Sequence, residues 1–182
     1  VWCCSLAFLA SIELTAMHRL LTRLDQLSER VGDVCAWMVF LMMIGTTVVV
    51  FLRYFLNVGS IPLQEAILYL HGAVIMLGIG FTLKRGGHVR VDILHRSLNP
   101  RLQRRIDMSG TFIFLIPFAL FTLWSSLPYV RFSWSVLEAS SAPGGLPGVF
   151  LLKSLIPLMA ALLLIQGCVE LAKMIATARE QR

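Results

Sequence analysis

The chain has 182 residues, 57% of them hydrophobic and 14% charged, with 16 Lys and Arg against 10 Asp and Glu for a formal charge of +6. A mean hydropathy of +0.78 lies outside the usual soluble balance, and the length leaves room for one helical bundle without a separate extramembrane domain. A soluble enzyme built on its own core is excluded, and any chemistry has to sit in or beside a bilayer.

Val1 to Ala10 is apolar but too short to cross a membrane, and it lacks the positive n-region of a signal peptide. The working expectation is that translation starts at Met17 and that residues 1–16 are a mis-assigned, non-native extension. An intact mass carrying those residues would overturn it. From Met17 to Arg30, Leu20, Leu24 and Leu27 recur at helical spacing with charges on the other faces. That pattern predicts an amphipathic helix in the cytoplasmic interface, with a helical extension of the first span as the alternative.

Four apolar runs follow, each near the roughly 20 residues needed to cross a hydrocarbon core of about 30 Å: Val34 to Leu52, Ala66 to Leu83, Met108 to Leu127 and Val149 to Leu171. Helices are expected throughout, including over Val48-Val49-Val50, because a lone strand in lipid leaves its backbone groups unpaired. Residues 17–182 are thus expected to form a single all-α membrane domain of four transmembrane helices.

Lys and Arg set the orientation. Three precede the first span, seven lie between spans two and three, and three follow span four, whereas the opposite side carries one after span one and two near span four. The excess marks the cytoplasmic side, so both termini are expected there. The central loop from Lys84 to Arg105 has seven basic residues and one acidic, Asp92. A nucleic-acid site is a poor reading of this loop, since its charges flank membrane helices and no aromatic residues are interleaved for base stacking. Contact with the lipid bilayer surface accounts for it.

Span two carries the densest polar information. Pro62 suits a first helical turn, and Glu65 just behind it is favoured by the positive end of the helix dipole. Glu65, Tyr69, Gly72 and Met76 fall at spacings of four, three and four and form one stripe. A carboxylate, a phenol and a small residue on one face suit packing against a protein partner, or against another helix of this chain. His71 is the sole histidine well inside a span, so a transmembrane haem-ligand pair cannot be assembled within the chain. Cys35 and Cys168 fall near cytoplasmic helix ends and read as apolar packing residues.

At the other surface, Arg53-Tyr54 closes span one, and Trp124, Tyr129 and Trp134 bracket the exit from span three as an aromatic belt. The outer connection Ser140-Ser141-Ala142-Pro143-Gly144-Gly145-Leu146-Pro147-Gly148 reads as turns, Lys153 is expected to snorkel outward, and Glu138 is expected to matter less than Glu65. No catalytic set, cofactor motif or metal-ligand spacing occurs, so an enzyme is not expected. Nor do four short spans offer the repeated broken helices of a self-sufficient transporter.

Glu65-x-x-x-Tyr69, Gly78, and Leu83-Lys84-Arg85-Gly86-Gly87-His88-Val89-Arg90-Val91-Asp92, with Arg53-Tyr54 and Asn57 upstream, resemble the small membrane subunit of tripartite ATP-independent periplasmic (TRAP) transporters, the DctQ-like family. Gly144-Gly145-Leu146-Pro147, Lys153, Ile156-Pro157-Leu158 and Gln166-Gly167 add to the likeness, which covers nearly everything from Met17 onward. The resemblance implies a scaffold subunit in a bacterial or archaeal cytoplasmic (inner) membrane. Its partners would be a large permease subunit and an extracytoplasmic substrate-binding protein, in sodium-coupled uptake of an organic acid or related solute, with no cofactor. Glu65, Tyr69, Gly72, Gly78 and Arg53 are then the partner-interface candidates, and Lys84, Arg85, Gly86, Gly87, His88, Arg90 and Asp92 anchor the cytoplasmic loop. The competing classes are a haem-bearing or structural anchor of a respiratory complex and a stand-alone small channel or transporter.

Overall fold

A computed structural model describes the backbone of residues 2–85 and 98–180 and side chains within 22–85, 98–99 and 102–176. Every regular element among them is helical: α1 (Trp2–Phe55), α2 (Ile61–Lys84), α3 (Pro100–Gly110), a π-helical turn (Thr111–Leu115), α4 (Ile116–Ser135) and α5 (Val149–Glu180). Among the described residues, four stretches are long and apolar enough to cross a membrane: Thr22–Phe55, Ile61–Lys84, Leu102–Ser135 and Val149–Ala176.

α1 has 54 residues, about 81 Å at the helical rise, and runs unbroken through the stretch expected to lie flat in the interface. The reason is local. Asp25, Ser28 and Glu29 bond to α2 and α5, as set out below, so this stretch stands in line with the span as its extension. α1 ends in a turn at Asn57, whose φ of 53° lies in the left-handed region that Asn tolerates better than most residues. Val58 N–H donates to the Leu52 carbonyl there (3.1 Å).

α3, the π turn and α4 make one rod. Pro117 has no N–H to offer the Ile113 carbonyl; just before it, Ile116 N–H reaches back to Thr111 O, which widens the turn. Pro128 and Pro157 also lie inside helices.

Laterally the helices stand in the order α1, α2, α5, α4. α2 packs against α1 and α5, α4 packs against α5, and α1 also leans on α5. Glycines permit the close contacts. A Cβ on Gly32 would lie 2.6 Å from the Phe81 ring, and one on Gly167 would lie 2.5 Å from Leu115 Cδ2. The dry interior is small, comprising Cys35, Ala73, Ala119, Ala160, Leu163 and Val169. Large apolar side chains instead cover the outside, Trp37, Phe121 and Trp124 among them. That is the arrangement for a protein whose solvent is lipid, where outward apolar surface carries no penalty.

Candidate functional site: two polar clamps at opposite ends of the bundle

Polar side chains gather at the two ends of the row. At the Glu65 end, α2 presents Glu65 to the connection between α4 and α5. Its Oε1 accepts the Ser140 hydroxyl, and its Oε2 accepts Leu146 N–H (2.6 Å). The Ser140 hydroxyl also accepts Ala142 N–H (3.1 Å), Ser140 N–H donates to Leu146 O (3.2 Å), and Gly145 N–H donates to Ala142 O (2.9 Å). Residues 140–146 therefore close around one carboxylate.

The paired glycines there have separate reasons. Gly144 has a φ of +76°, which glycine adopts without steric cost. At Gly145 a Cβ would sit 2.6 Å from Ser140 Oγ and 2.8 Å from Glu65 Oε1, so a side chain would push the carboxylate out of its loop.

Further along the same stripe, Tyr69 lies against Gly148, whose Cβ would be 3.3 Å from Tyr69 Cε2, and Gly72 faces Leu152 at 3.0 Å. Gly78 faces Cys35 Sγ at 4.0 Å. The Tyr69 hydroxyl is buried without a hydrogen-bond partner among the described residues. Glu65, Tyr69 and Gly72 thus meet α5 or the connection leading into it, and Gly78 meets α1.

The connection is held at its other end too. α4 terminates with Leu137 N–H donating to Trp134 O (3.2 Å) and Glu138 N–H to Ser133 O (3.1 Å), the paired bonds of a Schellman ending. Leu137 occupies the left-handed position, with a φ of 44°. Glu138 then receives Lys153 Nζ from α5 and the Ser133 hydroxyl (2.7 Å). These donors, Lys153 foremost, hold the Glu138 carboxyl below its ordinary pKa. Lys153 also stands 4.2 Å over the Tyr129 ring, a cation–π contact, and Trp134 Nε1 donates to Ser154 (2.8 Å). Lys153 therefore ties the start of α5 to the end of α4 and the connection after it, with Tyr129 beneath the ammonium and Glu138 as its acceptor.

Arg53 lies apart from these bonds. With Tyr54, Asn57, Gly59 and Gln64 it lines an open cleft of about 730 Å³ on the same end of the bundle.

At the opposite end, Lys84 Nζ reaches the Asp25 carbonyl (2.9 Å), Asp25 Oδ2 (3.0 Å) and Glu29 Oε1 (2.9 Å). Arg85 meets Glu29 Oε2 (3.0 Å) and stacks over Phe81. Lys173 of α5 joins Asp25 (2.8 Å) and Glu170 (3.1 Å). Beneath them Ser28 donates to Gln166 (2.6 Å), whose amide donates to Glu170 (3.0 Å). Exposed ion pairs contribute little individually, but this network unites α1, α2 and α5 around a Lys84 side chain that is only 14% exposed. Of the expected loop-anchoring residues, Lys84 and Arg85 are tied to α1; Gly86, Gly87, His88, Arg90 and Asp92 lie outside the described residues.

Sequence reasoning missed the partners: Ser140, Leu146 and Gly145 for Glu65, Glu138 for Lys153, and Asp25 and Glu29 for Lys84. One signal was available, since an acidic residue early in a membrane helix requires donors and a Gly-Gly turn brings backbone close. Among the described residues, no three His, Cys, Asp or Glu come together as a metal site.

Compared with known proteins, no curated protein matches the chain. Residues 42–177 match the family described as "Tripartite ATP-independent periplasmic transporters, DctQ component". That match spans α2, α3, α4, most of α5 and the end of α1, and takes in Glu65, its loop and both clamps except Asp25, Ser28 and Glu29. The chain therefore belongs to the DctQ component family of TRAP transporters, a family of transporter components rather than of enzymes.

Proposed function

We propose that the chain is the small, scaffold subunit of a sodium-coupled TRAP transporter, working with a large permease subunit and an extracytoplasmic binding protein to import an organic acid or related solute. The family match carries this reading. The distribution of polar groups supports it: the ion pairs lie at the two ends of the row, and the helices between them are joined by small and apolar residues. This is a construction suited to holding a shape.

On this reading both termini and the Lys84 clamp face the cytoplasm, the side favoured by 13 of the 16 Lys and Arg, and the Glu65 clamp faces outward. Glu65, Tyr69, Gly72 and Gly78 serve the partners through shape, by fixing the outer connection and the helix spacing on which assembly depends. Arg53 and its cleft are left open to an extracytoplasmic partner.

The test is a mild-detergent pull-down of the tagged chain from its native membrane, with mass identification of what accompanies it. Recovery of a much larger polytopic membrane protein is expected. Recovery of the chain alone, in a detergent that a control shows to keep such complexes intact, would shift the function to an independent channel or transporter.

A further inference from the structure

α2 is open to its surroundings along a single line. Apart from Pro62 in the first turn, its exposed residues are Ile61, Gln64, Leu68, His71, Ile75 and Thr82, at successive spacings of three, four, three, four and seven. At about 100° per residue they fall within a sector of about 80°. That is narrower than the face a helix turns to a broad core, and it is the seam along which one helix packs on another. From Ile61 to Thr82 the line is about 32 Å long at the helical rise, the whole depth of a hydrocarbon core about 30 Å thick.

The rest of the circumference is taken. Ile67 and Phe81 meet Gly45 and Gly32 of α1, and Gly72 meets Leu152 of α5. On the side opposite the line Ala73 is buried, and Lys84 reaches Asp25 where α1 leans on α5.

The line differs in chemistry from the other exposed faces. α1 and α4 turn aromatic rings outward, Trp37, Phe40 and Phe51 on one and Phe118, Phe121 and Trp124 on the other, a surface that lipid covers without penalty. The α2 line has no aromatic residue and sets the imidazole of His71 midway along, between Leu68 and Ile75. His71 makes no hydrogen bond among the described residues, and a polar ring left unpaired in hydrocarbon is costly.

At its Glu65 end the line opens into the cleft that Gln64 shares with Arg53. The charged residues at that end are Arg53, Glu65, Arg131, Glu138 and Lys153. Glu65 is held by Ser140 and Leu146, and Glu138 by Lys153 and Ser133. Arg131 is on α4, on the far side of α5. Arg53 is therefore the cation beside the line, and among the described residues it has no counter-charge. The basic residues after Lys84 follow the opposite end of α2 in the sequence.

We propose that this line receives one transmembrane helix of the large permease subunit, which carries a hydrogen-bonding side chain at the level of His71 and a carboxylate at the level of Arg53. The narrow sector admits a single helix along its full depth. The carboxylate opposite Arg53 fixes how far that helix is inserted, since charge complementarity sets register. The proposal rests on the assembly reading given above, and adds to it the face used and the two levels of polar contact.

The test replaces Leu68 or Ile75 of the tagged chain with the photo-crosslinking residue benzoylphenylalanine, with Phe121 of α4 as the control position. Native membranes are irradiated and the products identified by mass. All three residues are exposed, so the ring enters without disturbing the bundle. Leu68 and Ile75 are expected to join the chain to the large subunit, and Phe121 is not. Products from Phe121 and none from Leu68 and Ile75, with the large subunit still copurifying, would overturn the proposal and leave the assembly reading standing. Joining of two copies of this chain through Leu68 or Ile75 would overturn it in favour of self-association. Copurification with no protein product at any of the three positions would give the line to lipid. A chain that purifies alone would defeat both readings. In a second arm, Arg53→Glu should lower recovery of the large subunit roughly tenfold, because like charges then face each other, while Arg131→Glu leaves it unchanged. Equal recovery from the two variants would overturn the pairing at Arg53.

Discussion

Ser28 and Gln166, 138 positions apart, share a 2.6 Å hydrogen bond inside the bundle, with Ser28 6% and Gln166 0% exposed. This bond lies beneath the Asp25–Lys84–Lys173 network and joins α1 to α5 directly. Removing either partner alone strands a buried polar group, at a cost of about 1–3 kcal/mol. Ser28→Ala and Gln166→Leu should each lower thermal stability in detergent, and the double variant should recover part of the loss. Additive losses in that double-mutant cycle would show that the two residues act independently.

Glu65 organises the connection between α4 and α5 through Ser140 and Leu146. Glu65→Ala should make the Leu146 amide exchange with solvent several-fold faster and expose residues 140–146 to protease. Glu65→Gln, which keeps one carbonyl acceptor, should show a smaller change. Unchanged exchange at Leu146 in the alanine variant would mean that the loop holds its shape without the carboxylate.

The Glu138 carboxyl is held below its ordinary pKa by Lys153 and Ser133. A depressed folded-state pKa adds stability that is complete above the unfolded value, about 4.3, and is lost as pH falls through the folded value. Melting temperature should therefore decline on acidification below the normal carboxylate range, and Glu138→Gln should flatten that part of the profile. An identical pH profile for wild type and variant would remove Glu138 from the account.

Leu137 sits at a φ of 44°, where glycine is the usual occupant of a Schellman ending. A non-glycine residue in the left-handed region costs roughly 1–2 kcal/mol. Leu137→Gly should raise stability by a fraction of that, because glycine also has more freedom to lose on folding. Thermal melts of Leu137→Gly beside Leu137→Ala separate the backbone effect from loss of the side chain, with the alanine variant expected to show no gain.

His71 is exposed on α2 about 15 Å from Ile61 by the helical rise, on the same face as Leu68 and Ile75. A polar ring at that depth is poorly matched to lipid and well matched to a protein neighbour. His71→Leu should leave the isolated chain as stable as before in detergent but weaken recovery of the large subunit by about 1 kcal/mol or less. Unaltered recovery across a detergent titration would place the large subunit against another face.

The sequence made the apolar lengths and the stripe from Glu65 to Gly78 legible, because hydropathy and helical spacing are local properties. The resemblance stated from Glu65, Tyr69 and the Lys84 segment agrees with the family match over residues 42–177. The pairings were not legible. Glu65 with Leu146 and Lys84 with Asp25 join distant segments, and their choice depends on the lateral order of the helices, which one-dimensional periodicity does not encode. The amphipathic pattern near Leu24 carried two structures equally well, since an apolar stripe fits an interfacial helix and an extension packed on neighbours alike. Asp25 and Glu29 resolve it by bonding to Lys84.

The lateral order α1, α2, α5, α4 also bears on how the chain is made. α1 and α2 are neighbours in sequence and in space, so they can pair as a hairpin as soon as both have left the ribosome. α4 comes next in synthesis, yet its packing surface is on α5, the last helix to emerge. The third span therefore waits in the bilayer until the fourth slips in between it and the hairpin. Lys153 with Glu138 on one side, and Gln166 with Ser28 and Lys173 with Asp25 on the other, are the contacts that only the last helix can complete.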